Sequence, residues 1–158
     1  MLDLRSNPGG YLDAAVDIAG RFLPKGAAIV TEDFDGKQPS NTHTSAGYGG
    51  IPRGTTIVML IDGGSASASE ILAGAVQDNH AATIVGTKSF GKGSVQPLVD
   101  LDKGSWKVTV ARWVTPAGHW IMGNGITPDI IASSTPSAKR GGTDPQMDRA
   151  VQFLTTGK

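Results

Sequence analysis

TTIVMLIDGGSASASEILAGAV, Thr55 to Val76, is the stretch on which the reading of the fold turns. TTIVMLI is a continuous apolar run, the mark of a strand buried on both faces. Asp62-Gly63-Gly64 then turns the chain. Ala68, Ile71, Leu72, Ala75 and Val76 follow as one face of a helix. On the N-terminal side, Leu2 to Arg5 reads as the end of a strand and SNPGG as a loop. Leu12, Ala15, Val16, Ala19 and Leu23 line a helix ending near Pro24-Lys25-Gly26, and Ala28 to Thr31 is a short strand. Asp33 to Gly50 is polar and Gly-rich, a loop or irregular hairpin. On the C-terminal side, Thr83 to Val85 is a strand. Val95 to Leu101 and Trp106 to Val114 read as paired strands around Asp102-Lys103-Gly104. The order strand, helix, strand, strand, helix, strand argues an α/β core with crossover helices, followed by a β-rich segment. SSTPSAKRGGT, residues 133–143, has linker composition. A last helix over Asp144 to Leu154 carries Met147, Ala150, Val151 and Leu154 on one face. The division expected is a core over 1–132, a linker over 133–143 and a C-terminal helix over 144–158.

The chain has 158 residues, enough for one domain with a proper core. Its 14 basic and 14 acidic residues balance, without a basic stripe, so nucleic acid is not an expected partner. There is no Cys, and His43, His80 and His119 lack metal-ligand spacing, so neither a metal nor another cofactor is expected. No apolar run approaches the ~18 residues of a membrane span. The opening strand is shorter than the usual length of about 5–6 residues, so the chain is expected to be a fragment truncated on its N-terminal side.

GGSASASE, Gly63 to Glu70, joins the buried strand to a helix. A Ser there is well placed for nucleophilic attack, because the unpaired N–H groups of a first helical turn can hold an oxyanion. The same residues have a plainer use: Ser67-Ala68-Ser69-Glu70 fits the capping box S-x-x-E, and Ser65 could also cap. The sequence around Ser65 departs from the nucleophile elbow G-x-S-x-G, since Ser67 replaces the last Gly. Asp78 and His80 cannot serve as base from the same helix, roughly 16–20 Å along it.

GTKSFGKGS, Gly86 to Ser94, is nearly a phosphate loop. It lacks the hydroxyl after Lys92, where Gly93 stands, and Pro97 opposes the helix such a loop needs. Lys92 has another possible use. A neutral lysine amine can take a serine proton, provided it is desolvated, because a free lysine is protonated at neutral pH. Flanking glycines let its backbone approach another element closely. Gln96 lies four residues on, and in an extended segment it shares a face with Lys92.

Together DLRSNPGG (Asp3 to Gly10), GGSASASEI (Gly63 to Ile71), VGTKSFGKGSVQ (Val85 to Gln96) and GNGITPDI (Gly123 to Ile130) resemble the catalytic core of the carboxyl-terminal processing, or tail-specific, proteases. The resemblance implies a crotonase/ClpP-like α/β fold and a serine endopeptidase acting near protein C-termini. It implies Ser67 as nucleophile, Lys92 as general base and Gln96 holding the lysine. The oxyanion hole would be made by Ala68 with a donor from Gly9-Gly10. Glu70 and Asp78 are implied as supports, Glu70 as a cap and Asp78 as structural. The partner implied is a protein or peptide C-terminus, with a homo-oligomer possible, in a cell envelope, periplasm or lumen. The family's PDZ domain is not present in these residues. Two other readings stay open: a non-catalytic domain that binds peptides or a partner, and a crotonase-like acyl-thioester enzyme.

Overall fold

The computed structural model describes residues 1–52, 54–134 and 141–157. Its central strand, β4 (Val58–Ile61), is buried at every position, and its two faces meet different layers. Met59 and Ile61 join the larger core with Ala15, Ala19, Ile71, Leu72, Ala75 and Val76. Val58 and Leu60 join Val85, Ala150, Met147 and Phe153 on the other side. That is why the run shows no polar alternation: neither face reaches water.

β4 belongs to a four-stranded parallel sheet in the order β1–β4–β5–β10, with β1 at Leu2–Asp3, β5 at Thr83–Gly86 and β10 at Ile130–Ile131. Helix α2 (Ala68–Asp78) is the crossover between β4 and β5 and is buried from Ala68 through Val76. Helix α1 (Leu12–Phe22) packs on it. The second sheet is antiparallel, ordered β3–β2–β9–β6: β2 is Ala28–Asp33, β3 Asn41–Thr44, β6 Ser94–Val95 and β9 Ala111–Val114. The chain is thus mixed α/β.

The sequence expectations need three corrections. The strand after α1 lies in the second sheet, running to Asp33, and the following polar stretch contributes β3 to it. The expected long pair over 95–114 is four short strands. Pro97, which has no N–H to donate, separates β6 from β7, and among the described residues β7 (Leu98–Leu101) pairs only with β8 (Gly104–Lys107) in an exposed ribbon. β10, two residues long, is too short to carry a periodic signal.

Helix α3 (Pro145–Thr156) packs against β4 and β5. Six residues of the expected linker, 135–140, lie outside the described residues. Asp144 caps α3, accepting from Met147 N–H at 3.1 Å. It is also tied to the start of the chain: Arg5 Nη1 donates to Asp144 Oδ1 at 2.7 Å, and Arg5 Nη2 to Asp3 Oδ2 at 2.7 Å. The hydrogen bond from Arg5 holds both carboxyls below their usual range.

A group whose folded pKa is depressed stabilises above its unfolded pKa and loses that contribution as pH falls through the folded one. The Arg5 pairs therefore contribute fully at neutral pH and fade below about pH 4. Thermal melts should show Asp144→Ala less stable by about 1 kcal/mol at pH 7, with the gap to wild type shrinking in acid. A gap that persists unchanged at pH 2.5 would exclude the Arg5 pairing as its source.

Candidate active site

Three serines follow β4, and the fold gives them different work. Ser65 is fully buried; its Oγ donates to Leu4 O at 2.7 Å and accepts from Asp62 N–H at 3.0 Å. Ser69 Oγ donates to Asn7 O at 3.1 Å. Ser67 is the N-cap of α2 and has φ 57° and ψ −118°. A non-glycine residue at such dihedrals costs on the order of 1–3 kcal/mol and persists only where its surroundings hold it. This strand-to-helix corner at Ser67 is the geometry of a nucleophile elbow, although the G-x-S-x-G spelling is absent. The sequence pattern missed it because the motif names the glycines that usually relieve the corner, whereas here the relief comes from a neighbouring loop.

That relief is visible at Gly9. A Cβ there would lie 2.5 Å from Ala66 O, 2.8 Å from Ala68 N and 2.9 Å from Ser67 Cβ, and Gly9 has φ +94°. Asn7 holds this loop in place: its carbonyl accepts from Ala66 N–H at 3.0 Å and its Oδ1 from Gly9 N–H at 2.9 Å. Gly9 therefore supplies room for the elbow, and its N–H is already committed to Asn7. Among the described residues the N–H groups of Ala68 and Gly10 have no hydrogen-bond acceptor.

Glu70 joins the elbow to the Lys92 loop. Its side chain is fully buried with no cationic partner among the described residues, and it accepts four hydrogen bonds. Oε2 takes Ser67 N–H at 2.8 Å and Lys92 N–H at 2.9 Å. Oε1 takes Gly91 N–H at 2.6 Å and Ser89 Oγ–H. The capping contact read from the sequence is real, but it is one bond of four. The other three come from residues 19 to 22 positions away, a separation that no local pattern reports.

The Lys92 loop is locked on its other side as well. Ser89 Oγ accepts from Ile126 N–H at 2.6 Å, and Gly91 O accepts from Gly123 N–H at 3.0 Å. A Cβ on Gly93 would lie 2.2 Å from Met122 N. The close approach expected from the glycines is thus to residues 121–125. The Lys92 side chain itself is exposed and its Nζ makes no hydrogen bond among the described residues, so the desolvation that a base needs is not met in this state. Gln96 is also exposed. Its Nε2 donates to Thr109 Oγ1 at 2.9 Å rather than holding Lys92. Asp78 Oδ2 accepts from Ala117 N–H at 2.8 Å and pins the 115–119 turn. A cleft of about 500 Å³ brings Ser67, Ala68, Gly10 and Gln96 to one surface.

Residues 1–132 match the model of Peptidase family S41. The chain is 47% identical over 145 residues to a carboxy-terminal-processing protease of Bartonella bacilliformis, covering 91% of this chain and 33% of that protein. It is 43% identical over 161 residues to a carboxyl-terminal-processing protease of Synechocystis sp., covering 99% and 37%. The solved structure of a photosystem II D1 C-terminal processing protease superimposes with a TM-score of 0.75 at 40% identity, over 82% of this chain and 33% of that one. The chain spans about a third of the length of the curated relatives it matches.

Glu70→Gln keeps the shape but turns an amide nitrogen toward donors that need an acceptor. Denaturant unfolding should show a loss of about 2–4 kcal/mol, far beyond the effect of an ordinary cap. A loss below about 1 kcal/mol would mean that Glu70 is only a cap.

Proposed function

The chain belongs to peptidase family S41, and from that premise we propose that it forms the catalytic core of a serine endopeptidase cleaving near protein C-termini. The observation that carries this reading is the shared Glu70 oxygen, which fixes the main chains of Ser67 and Lys92 to one atom. The names of the relatives at 43–47% identity support the substrate class.

In this reading Ser67 Oγ attacks the carbonyl carbon of the scissile bond and Lys92 Nζ takes its proton. The oxyanion is met by the N–H groups of Ala68 and Gly10. The same amine returns the proton to the leaving nitrogen, and water then hydrolyses the acyl-enzyme. A neutral amine needs a dry surrounding. A peptide lying over Ser67 supplies it by covering the lysine, so the base forms when substrate binds. In this reading Gln96, which lines the cleft, receives the amine as it moves inward. Asp78 and Glu70 act through the main chain, Glu70 by holding both reacting residues and Asp78 by holding the turn after β9.

A fluorophosphonate probe should label the protein, and Ser67→Ala should remain unlabelled. Equal labelling of both would remove Ser67 as nucleophile. Lys92→Ala should lower peptide hydrolysis about 10²–10⁴-fold. Its melting temperature should stay near wild type, because the lysine's structural bond is made by its backbone N–H. Retained hydrolysis would remove Lys92 as base.

A further inference from the structure

The cleft at Ser67 extends beyond the serine. Its apolar lining includes Leu12, Phe34, Ile71, Val95 and Trp113, Ser94 and Gln96 add uncharged polar groups, and Glu32 is the one ionisable side chain among the lining residues. β2 and β9 put Glu32 opposite Trp113 in register, so the two side chains share a face. The Glu32 side chain is 16% exposed. Its Oε2 accepts from Asn41 Nδ2 at 2.8 Å and lies 3.5 Å from His43 Nε2. Among the described residues no lysine or arginine lines the cleft to offset it.

Resting on the serine-peptidase reading above, we propose that this cleft receives the side chain of the residue whose carbonyl is attacked, and that Glu32 makes the enzyme reject an acidic residue there. A carbonyl held between Ser67 Oγ and the Ala68 and Gly10 N–H groups has its own residue's Cβ two bonds away, at the mouth of the apolar walls. At about 500 Å³ the cleft takes any apolar side chain, so charge rather than size does the sorting. A substrate carboxylate would enter largely apolar surroundings with a second carboxylate at close range, one already engaged by Asn41 and His43, a repulsive element of the kind that sets specificity. Apolar residues fill the walls without that cost. The substrate class is therefore a peptide with an uncharged, preferably apolar, residue on the acyl side of the cleaved bond.

The test uses the full chain and three peptides identical except for Leu, Gln or Glu at that residue. Gln and Glu are nearly isosteric, so their ratio isolates charge. In kcat/KM, Leu should be cleaved fastest and Gln at least tenfold faster than Glu. Glu32→Gln should bring the Gln and Glu peptides within about threefold of each other. Leu12→Lys puts a cation into the same cleft with Glu32 in place, and should raise the Glu peptide against Gln at least tenfold. Equal cleavage of Gln and Glu peptides by wild type overturns the proposal, as does an unchanged ratio in both variants. Fluorophosphonate labelling separates the two levels. Labelled Ser67 with no charge discrimination removes the cleft assignment alone, whereas absence of both labelling and hydrolysis removes the serine-peptidase reading and this inference with it.

Discussion

One buried carboxylate holds the site together. Glu70 is fully buried, and such a group is expensive to bury unless every lone pair is used. Four donors from two segments meet it: Ser67 on one side, and Ser89, Gly91 and Lys92 on the other. The strained corner at Ser67 persists because its N–H is held by this side chain and the Asn7–Gly9 loop leaves it room. The Lys92 loop keeps its course because the same carboxylate gathers two of its N–H groups and residues 121–126 close over its glycines. Remove that acceptor and both the proposed nucleophile and its proposed base lose their common anchor.

The rest of the fold makes Glu70 possible. It projects from the first turn of α2, a helix buried through most of its length between α1, β2 and the parallel sheet. Those layers exclude water from the carboxylate and give its hydrogen bonds their strength. β4 delivers the chain into the elbow, and its burial against α3 on the opposite face fixes the height at which Ser67 emerges.

Much of this was legible in the sequence. The period-3.6 stripes placed α1, α2 and α3 within a residue or two, and the unbroken apolar run placed β4. The four ordered motifs pointed to the family. Most of what was hidden depends on contacts far apart in the chain. Glu70 read as a cap because only its bond to Ser67 is local. Gly9 read as a possible oxyanion donor because its commitment to Asn7 Oδ1 depends on the turn the loop adopts. The glycines beside Lys92 read as allowing a close backbone approach, but the element Gly93 admits, at Met122, lies 29 residues on. The second sheet was missed because β2 and β9 are separated by nearly eighty residues. The Glu32 position in the cleft follows from that pairing.

Ser67 and Lys92 have fixed main chains, and only the lysine side chain must travel. A crystal structure of the protein with a peptidyl phosphonate bonded to Ser67 Oγ tests this most directly. It should show the phosphoryl oxygen within hydrogen-bond distance of Ala68 and Gly10 N–H, Lys92 Nζ turned in from solvent toward Ser67 Oγ, and the four bonds to Glu70 unchanged. An adduct in which Lys92 stays in solvent, or in which Glu70 releases either loop, would contradict the account.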